Sequence, residues 1–172
     1  MMKRACLVSV LLLSMPVVAW ALTLAPMSLD QMTAASEVVV RGRCLDRTAT
    51  RTEDGGIESV ARFDVVEVAK GEAPKVIEVR QFGGELDGTA VVVPGAPLSE
   101  IGDEALLFLE RAPGGHLRVV GMALGYLPVV TASPGASVVR VAPYMGAGFE
   151  SGGLRPVTDV MTRVRRLAER PR

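Results

Sequence analysis

From residue 37 to residue 142, apolar and polar positions alternate with a period close to two, the pattern of strands with one buried face. In residues 37–45, Val38, Val40, Gly42 and Cys44 share one face. Val39, Arg41, Arg43 and Leu45 share the other. A glycine inside such a run predicts a bulge at Gly42. Residues 57–69 resume the alternation, and the doubled Val65-Val66 predicts a change of face within the strand. Asp54-Gly55-Gly56 between the two runs is a turn signal, so a long bent hairpin is expected.

Lys75 to Phe82 alternates strictly, with Ile77, Val79 and Gln81 opposite Val76, Glu78, Arg80 and Phe82. Gly83-Gly84 breaks it, a short strand follows at 89–93, and Pro94-Gly95-Ala96-Pro97 closes that. Residues 105–109, Ala-Leu-Leu-Phe-Leu, are apolar throughout, which predicts a strand covered on both faces. Pro113-Gly114-Gly115 then turns the chain into a returning strand at 116–120. Two weaker strands are expected at 126–131 and 137–142. Residues 144–155 are glycine-rich and aperiodic, and read as a long loop.

The period changes to helical at both ends. Ser28 and Gln31 have capping-box spacing before a short helix at 29–35. At the C-terminus, Val160, Met161, Val164, Leu167 and Ala168 make an apolar stripe opposite Arg163, Arg166 and Arg170. That helix is expected over 157–170, with Thr158 and Asp159 as its N-cap. About seven short strands between two helices predict a mainly β domain, a small barrel or sandwich.

Composition adds a compartment. Lys3 and Arg4, an apolar run over residues 5–18 and Ala19-Trp20-Ala21 form the three parts of a secretory signal peptide. The apolar run is shorter than the roughly 20 residues a bilayer span needs. Residues 1–21 are therefore expected to be removed, leaving 22–172 as one domain without a stable membrane span, secreted or periplasmic. Lys3 and Arg4 leave with the signal, so the mature chain carries 17 basic and 19 acidic residues, a net charge of −2. Such a balance gives no field for nucleic acid. Cys6 leaves too, and Cys44 remains as an unpaired thiol expected to be buried. No phosphate-cradling, dinucleotide or zinc-spacing motif is present, so no cofactor or metal is expected.

Three segments in order resemble the netrin-like OB-fold modules that include the tissue inhibitors of metalloproteinases. They are EVVVRGRCL at 37–45, ARFDVVEVAKG at 61–71 and IGDEALLFLE at 101–110. The chain also resembles a group of secreted bacterial proteins with these signposts and a GMALGYLPV segment at 121–129. The resemblance implies an OB-like barrel. The animal inhibitors chelate a protease zinc through an N-terminal cysteine, whereas this mature chain would begin at Leu22, so that mechanism does not transfer.

His116 is the single histidine and follows a turn, where an exposed position is expected. Glu85, Asp87, Asp103 and Glu104 flank turns, as do Glu53, Asp54 and Glu58. The expected function is a non-catalytic binding module, not an enzyme. Its partner is a protein, a secreted protease among the candidates, engaged through barrel-end loops. Those loops contain Gly83, Gly84, Glu85, Gly95, Ala96 and Pro97. Two other readings stand beside it: a hydrolase using acidic residues, and a structural envelope protein held by its basic C-terminal helix.

Overall fold

The computed structural model describes residues 25–97, 99–133 and 135–170. The expected signal segment at 1–21 lies outside them. Helix α1 (Leu29–Ala35) comes first, and the Ser28–Gln31 capping box is formed. Ten strands follow: β1 (Val38–Arg51), β2 (Ile57–Lys70), β3 (Val76–Phe82), β4 (Gly84–Leu86), β5 (Thr89–Val91), β6 (Glu104–Arg111), β7 (Leu117–Val119), β8 (Tyr126–Ser133), β9 (Ala136–Val141) and β10 (Gly153–Pro156). Helix α2 (Val157–Ala168) ends the fold.

Strands β1, β2, β3, β7 and β6 pair in that order, and β6 returns to β1, closing a five-stranded barrel. All pairings are antiparallel except β3 with β7. This is the OB-like barrel expected from the sequence. Beyond it, β8, β9 and β10 extend the sheet from β6. Along β6, β7 pairs with the C-terminal part and β8 with the N-terminal part, separated by a 3-10 turn at Met122–Gly125.

One bend falls where the sequence placed it, and the β1–β2 register shifts twice more, between Val39 and Val40 and between Cys44 and Asp46. The β1–β2 register shifts between Arg41 and Gly42, opposite Val65 and Glu67, so Val66 is the extra residue. Val65 faces the barrel interior before the bulge and Val68 packs against it after. Gly42 lets the strands approach closely, since a methyl there would sit 3.2 Å from the Phe63 Cβ.

Two cores result. Val38, Val40, Cys44, Ala61, Phe63, Ile77, Val79, Ala105, Leu107 and Leu109 fill the barrel. Leu29, Met32, Val39, Ala69, Leu106, Phe108, Val120, Val160, Met161 and Val164 form the second, between the barrel wall and the two helices. Every residue from Ala105 to Leu109 is fully buried, because β6 contributes alternate side chains to each core.

Two expectations need correction. Residues 144–155 are not a free loop. They hold a 3-10 turn (Pro143–Met145) and strand β10, and bury Met145 and Phe149 against the helix-side core. Their glycines serve tight turning: at Gly152, with positive φ, a methyl would meet the Pro143 ring at 2.9 Å. Helix α2 is preceded by Pro156, and neither Thr158 nor Asp159 is the N-cap. Val157 is already its first helical residue, which leaves Asp159 in the first turn, where its charge opposes the helix dipole. Gly83 ends β3 as expected, and Gly84 starts the separate hairpin β4–β5. Asp87 and Gly88 both have positive φ, the requirement of a two-residue turn of this twist.

Candidate functional site

Strand β3 alternates cleanly, burying Ile77, Val79 and Gln81 and turning Val76, Glu78, Arg80 and Phe82 outward. Its neighbours supply the rest of an outer face. Glu58 on β2 lies opposite Phe82, and Arg118 on β7 lies beside Arg80. The parallel β3–β7 pairing thus brings together two arginines 38 residues apart in sequence. Glu110 on β6 is the next residue across from Arg118.

Glu58 is the unusual member. Its position faces outward, yet it is only 5% exposed. A carboxylate so enclosed requires partners. Arg80 Nη1 donates to Glu58 Oε1, and Arg118 Nη2 stands 3.9 Å from Glu58 Oε2. The Arg118 guanidinium in turn stacks over the Phe82 ring at 4.6 Å.

Two turns rise beside this face, at residues 52–56 and 112–116. Between them lies a cleft of about 590 Å³ whose lining includes Arg51, Asp54, Glu58, Arg80, His116 and Arg118. His116 is partly buried rather than exposed, and lines the cleft with Glu58 and Arg118. Its Nε2 is sealed from solvent and has no hydrogen-bond partner among the described residues. Burial, then the Arg118 and Arg80 charges, lower its pKa; Glu58 opposes them. A second, smaller cleft of about 280 Å³ lies on the other side of the arginine pair, lined by Phe82, Ala96, Pro97, Gly121 and Met122 among others.

The loop residues singled out in the sequence divide between these surroundings. Ala96 and Pro97 line the smaller cleft, and Gly95 holds the loop down by accepting from the Ala123 N–H at 2.8 Å. Gly83 and Gly84 are structural. The Gly83 N–H donates to Ile57 O, its carbonyl accepts from the Ser59 hydroxyl, and a methyl on it would overlap the Val91 carbonyl. Glu85 is exposed on β4. No sequence motif marks Arg80, Arg118, His116, Glu58 and Phe82 as a site. The outward alternation of β3 was the available signal for two of them.

Of the acidic residues that could serve hydrolysis, Glu85 is exposed, and Asp87, Asp103 and Glu104 have partners of their own. Glu104 pairs with Arg41 and, at 3.1 Å, with Arg43. Asp103 accepts from the Glu100 N–H, and Asp87 faces Arg51 at 3.3 Å. Glu37, Asp54 and Glu150 are all held below the usual carboxyl range: by Arg111, by the Thr52 hydroxyl with the Gly56 amide, and by the Glu150 and Gly148 amides. A general acid at neutral pH needs the opposite shift. Cys44 is buried in the barrel, and burial pushes its thiol pKa up, away from the reactive thiolate.

Among the described residues no helix is long and apolar enough to cross a membrane, and no group of three or more His, Cys, Asp or Glu side chains is placed to hold a metal. No protein-family model matches the chain, and no curated protein matches it significantly.

Proposed function

We propose that this domain is an exported, non-catalytic binding module. It engages a protein partner, a secreted protease among the candidates, through the outer face of β2, β3 and β7 and the turns beside it. The carrying observation is the Arg80–Arg118 pair, displayed between two clefts on a part of the barrel wall that carries charged side chains and no helix cover among the described residues. In OB-type barrels this face and its adjoining loops are the usual binding surface. The N-terminal charge and apolar pattern supports export.

The test is site-directed photo-crosslinking in the secreted fraction. A photoreactive residue replacing Glu53 or Ala96 should give one discrete adduct, competed away by excess unlabelled domain. The same residue replacing Arg166, on the exposed side of α2, should give none. Equal labelling from all three positions would refute the reading.

A further inference from the structure

Resting on that reading, we propose that the corner formed by Arg118 and His116 receives a single carboxylate, carried by an acidic side chain of the partner protein. The first support is the charge count. Arg80 and Arg118 face one buried carboxylate, Glu58, leaving one positive charge in excess at the cleft's inner wall. Glu110 lies across the sheet from Arg118, but on the side of the smaller cleft, and no ion pair joins them within 4.0 Å.

The second support is the free donors. Glu58 is hydrogen-bonded by Arg80, whereas the Arg118 guanidinium makes no hydrogen bond among the described residues. Its guanidinium is nevertheless held, by the Phe82 ring, with a planar fork suited to two carboxylate oxygens. His116 lines the same cleft with a sealed, unpartnered ring nitrogen. That atom is out of a ligand's reach as the ring stands, so Arg118 supplies the hydrogen bonds and His116 a neighbouring titratable ring.

The third support concerns ligand class. The cleft rim carries the exposed Glu53 and Asp54. These would repel a polyanion such as a nucleic-acid strand but tolerate one carboxylate, and would favour a basic side chain next to it in the partner. The Arg80–Glu58 pair already displays the proposed contact within the chain.

A bound carboxylate adds negative charge beside His116 and so favours the imidazolium, raising its pKa. By reciprocity the ligand binds more tightly as pH falls through the histidine range. Arg118, Arg80 and Glu58 are the charges that set the unliganded value.

Because His116 is the sole histidine, its ring signals report the site without ambiguity in an NMR titration of the domain. The probes are N-acetyl-Gly-Glu-Gly-amide, its glutamine counterpart and a short oligothymidylate. The glutamate peptide should shift the His116 signals saturably and raise their titration midpoint; the glutamine peptide should do neither. Arg118→Gln should weaken glutamate-peptide binding about tenfold, the loss of one charge-assisted hydrogen bond. Glu58→Gln should tighten it several-fold by freeing Arg80. Equal responses to the two peptides, unchanged binding by Arg118→Gln, or tighter binding of the oligothymidylate would each overturn the proposal. The peptide comparison uses the unaltered domain, so it stands even if a variant misfolds. A crosslinked adduct that persists with Arg118→Gln would leave the binding-module reading intact while removing the carboxylate site.

Discussion

The barrel wall has two outer faces, and they differ in what lies over them. On one, Val39, Ala69, Leu106 and Phe108 point outward into the second core and are covered by α1 and α2. On the other, Glu58, Arg80, Phe82 and Arg118 point outward with no helix above. The inward side chains are mostly apolar in both regions, with Ser59 and Gln81 buried beneath the open face. The larger difference is carried by the outward positions. Strand β3 alternates, whereas β6 supports the helices and is apolar from Ala105 to Leu109. Burial there stabilises at about 25 cal/mol per Å², whereas the arginine face contributes mainly the enclosure of Glu58.

This comparison can be attacked from the covered face first. Phe108→Ala should cost about 3–5 kcal/mol in chemical denaturation, because Phe108 is wholly buried between wall and helices. Phe82→Ala, at 44% exposure on the open face, should cost far less. Similar losses at both would erase the distinction. Next in size is Gly125→Ala, whose added methyl would stand 2.7 Å from Val120 O and 3.1 Å from Phe108 O. Overpacking against backbone should cost about 1–3 kcal/mol. Ser28→Ala removes the capping box that seats α1 on the covered face, and a melting curve should register about 1 kcal/mol.

The smallest effect belongs to the open face and appears as a pH dependence. His116 has a folded pKa below its usual 6.5, so the unfolded chain takes up the proton first as pH falls. Its contribution to stability is complete above about 6.5 and declines below that, reaching its minimum beneath the folded value. His116→Gln should flatten the stability profile in that window. The Glu37–Arg111 pair acts in the same direction but lower, below the ordinary glutamate value of 4.5. Arg111→Gln should leave the histidine window untouched.

Much of the covered face was legible in the sequence. The run from Ala105 to Leu109 announced a doubly covered strand, and the Val65-Val66 doublet announced the bulge, because both are local signals of side-chain periodicity. The glycine-rich segment at 144–155 misled for a physical reason. Its glycines permit close turns that bury Met145 and Phe149, and composition alone does not separate that from mobility. The arginine face was only half legible. Alternation turned Arg80 and Phe82 outward, but Arg118 and His116 join them through a parallel pairing between strands that are not consecutive. Such a register depends on barrel closure, which no local pattern encodes. The Ala96-Pro97 segment came closer, since the loop does lie against that face.

Strand β6 bears on how the molecule comes apart. It pairs with β1 on one edge and with β7 and β8 on the other, and its side chains alternate between the two cores. Neither core can lose its order without stripping this strand of half its packing. The helix layer is thus not an appendage that melts before the barrel. Heat or denaturant should remove both in one transition, with far-UV helix signal and near-UV aromatic signal falling together.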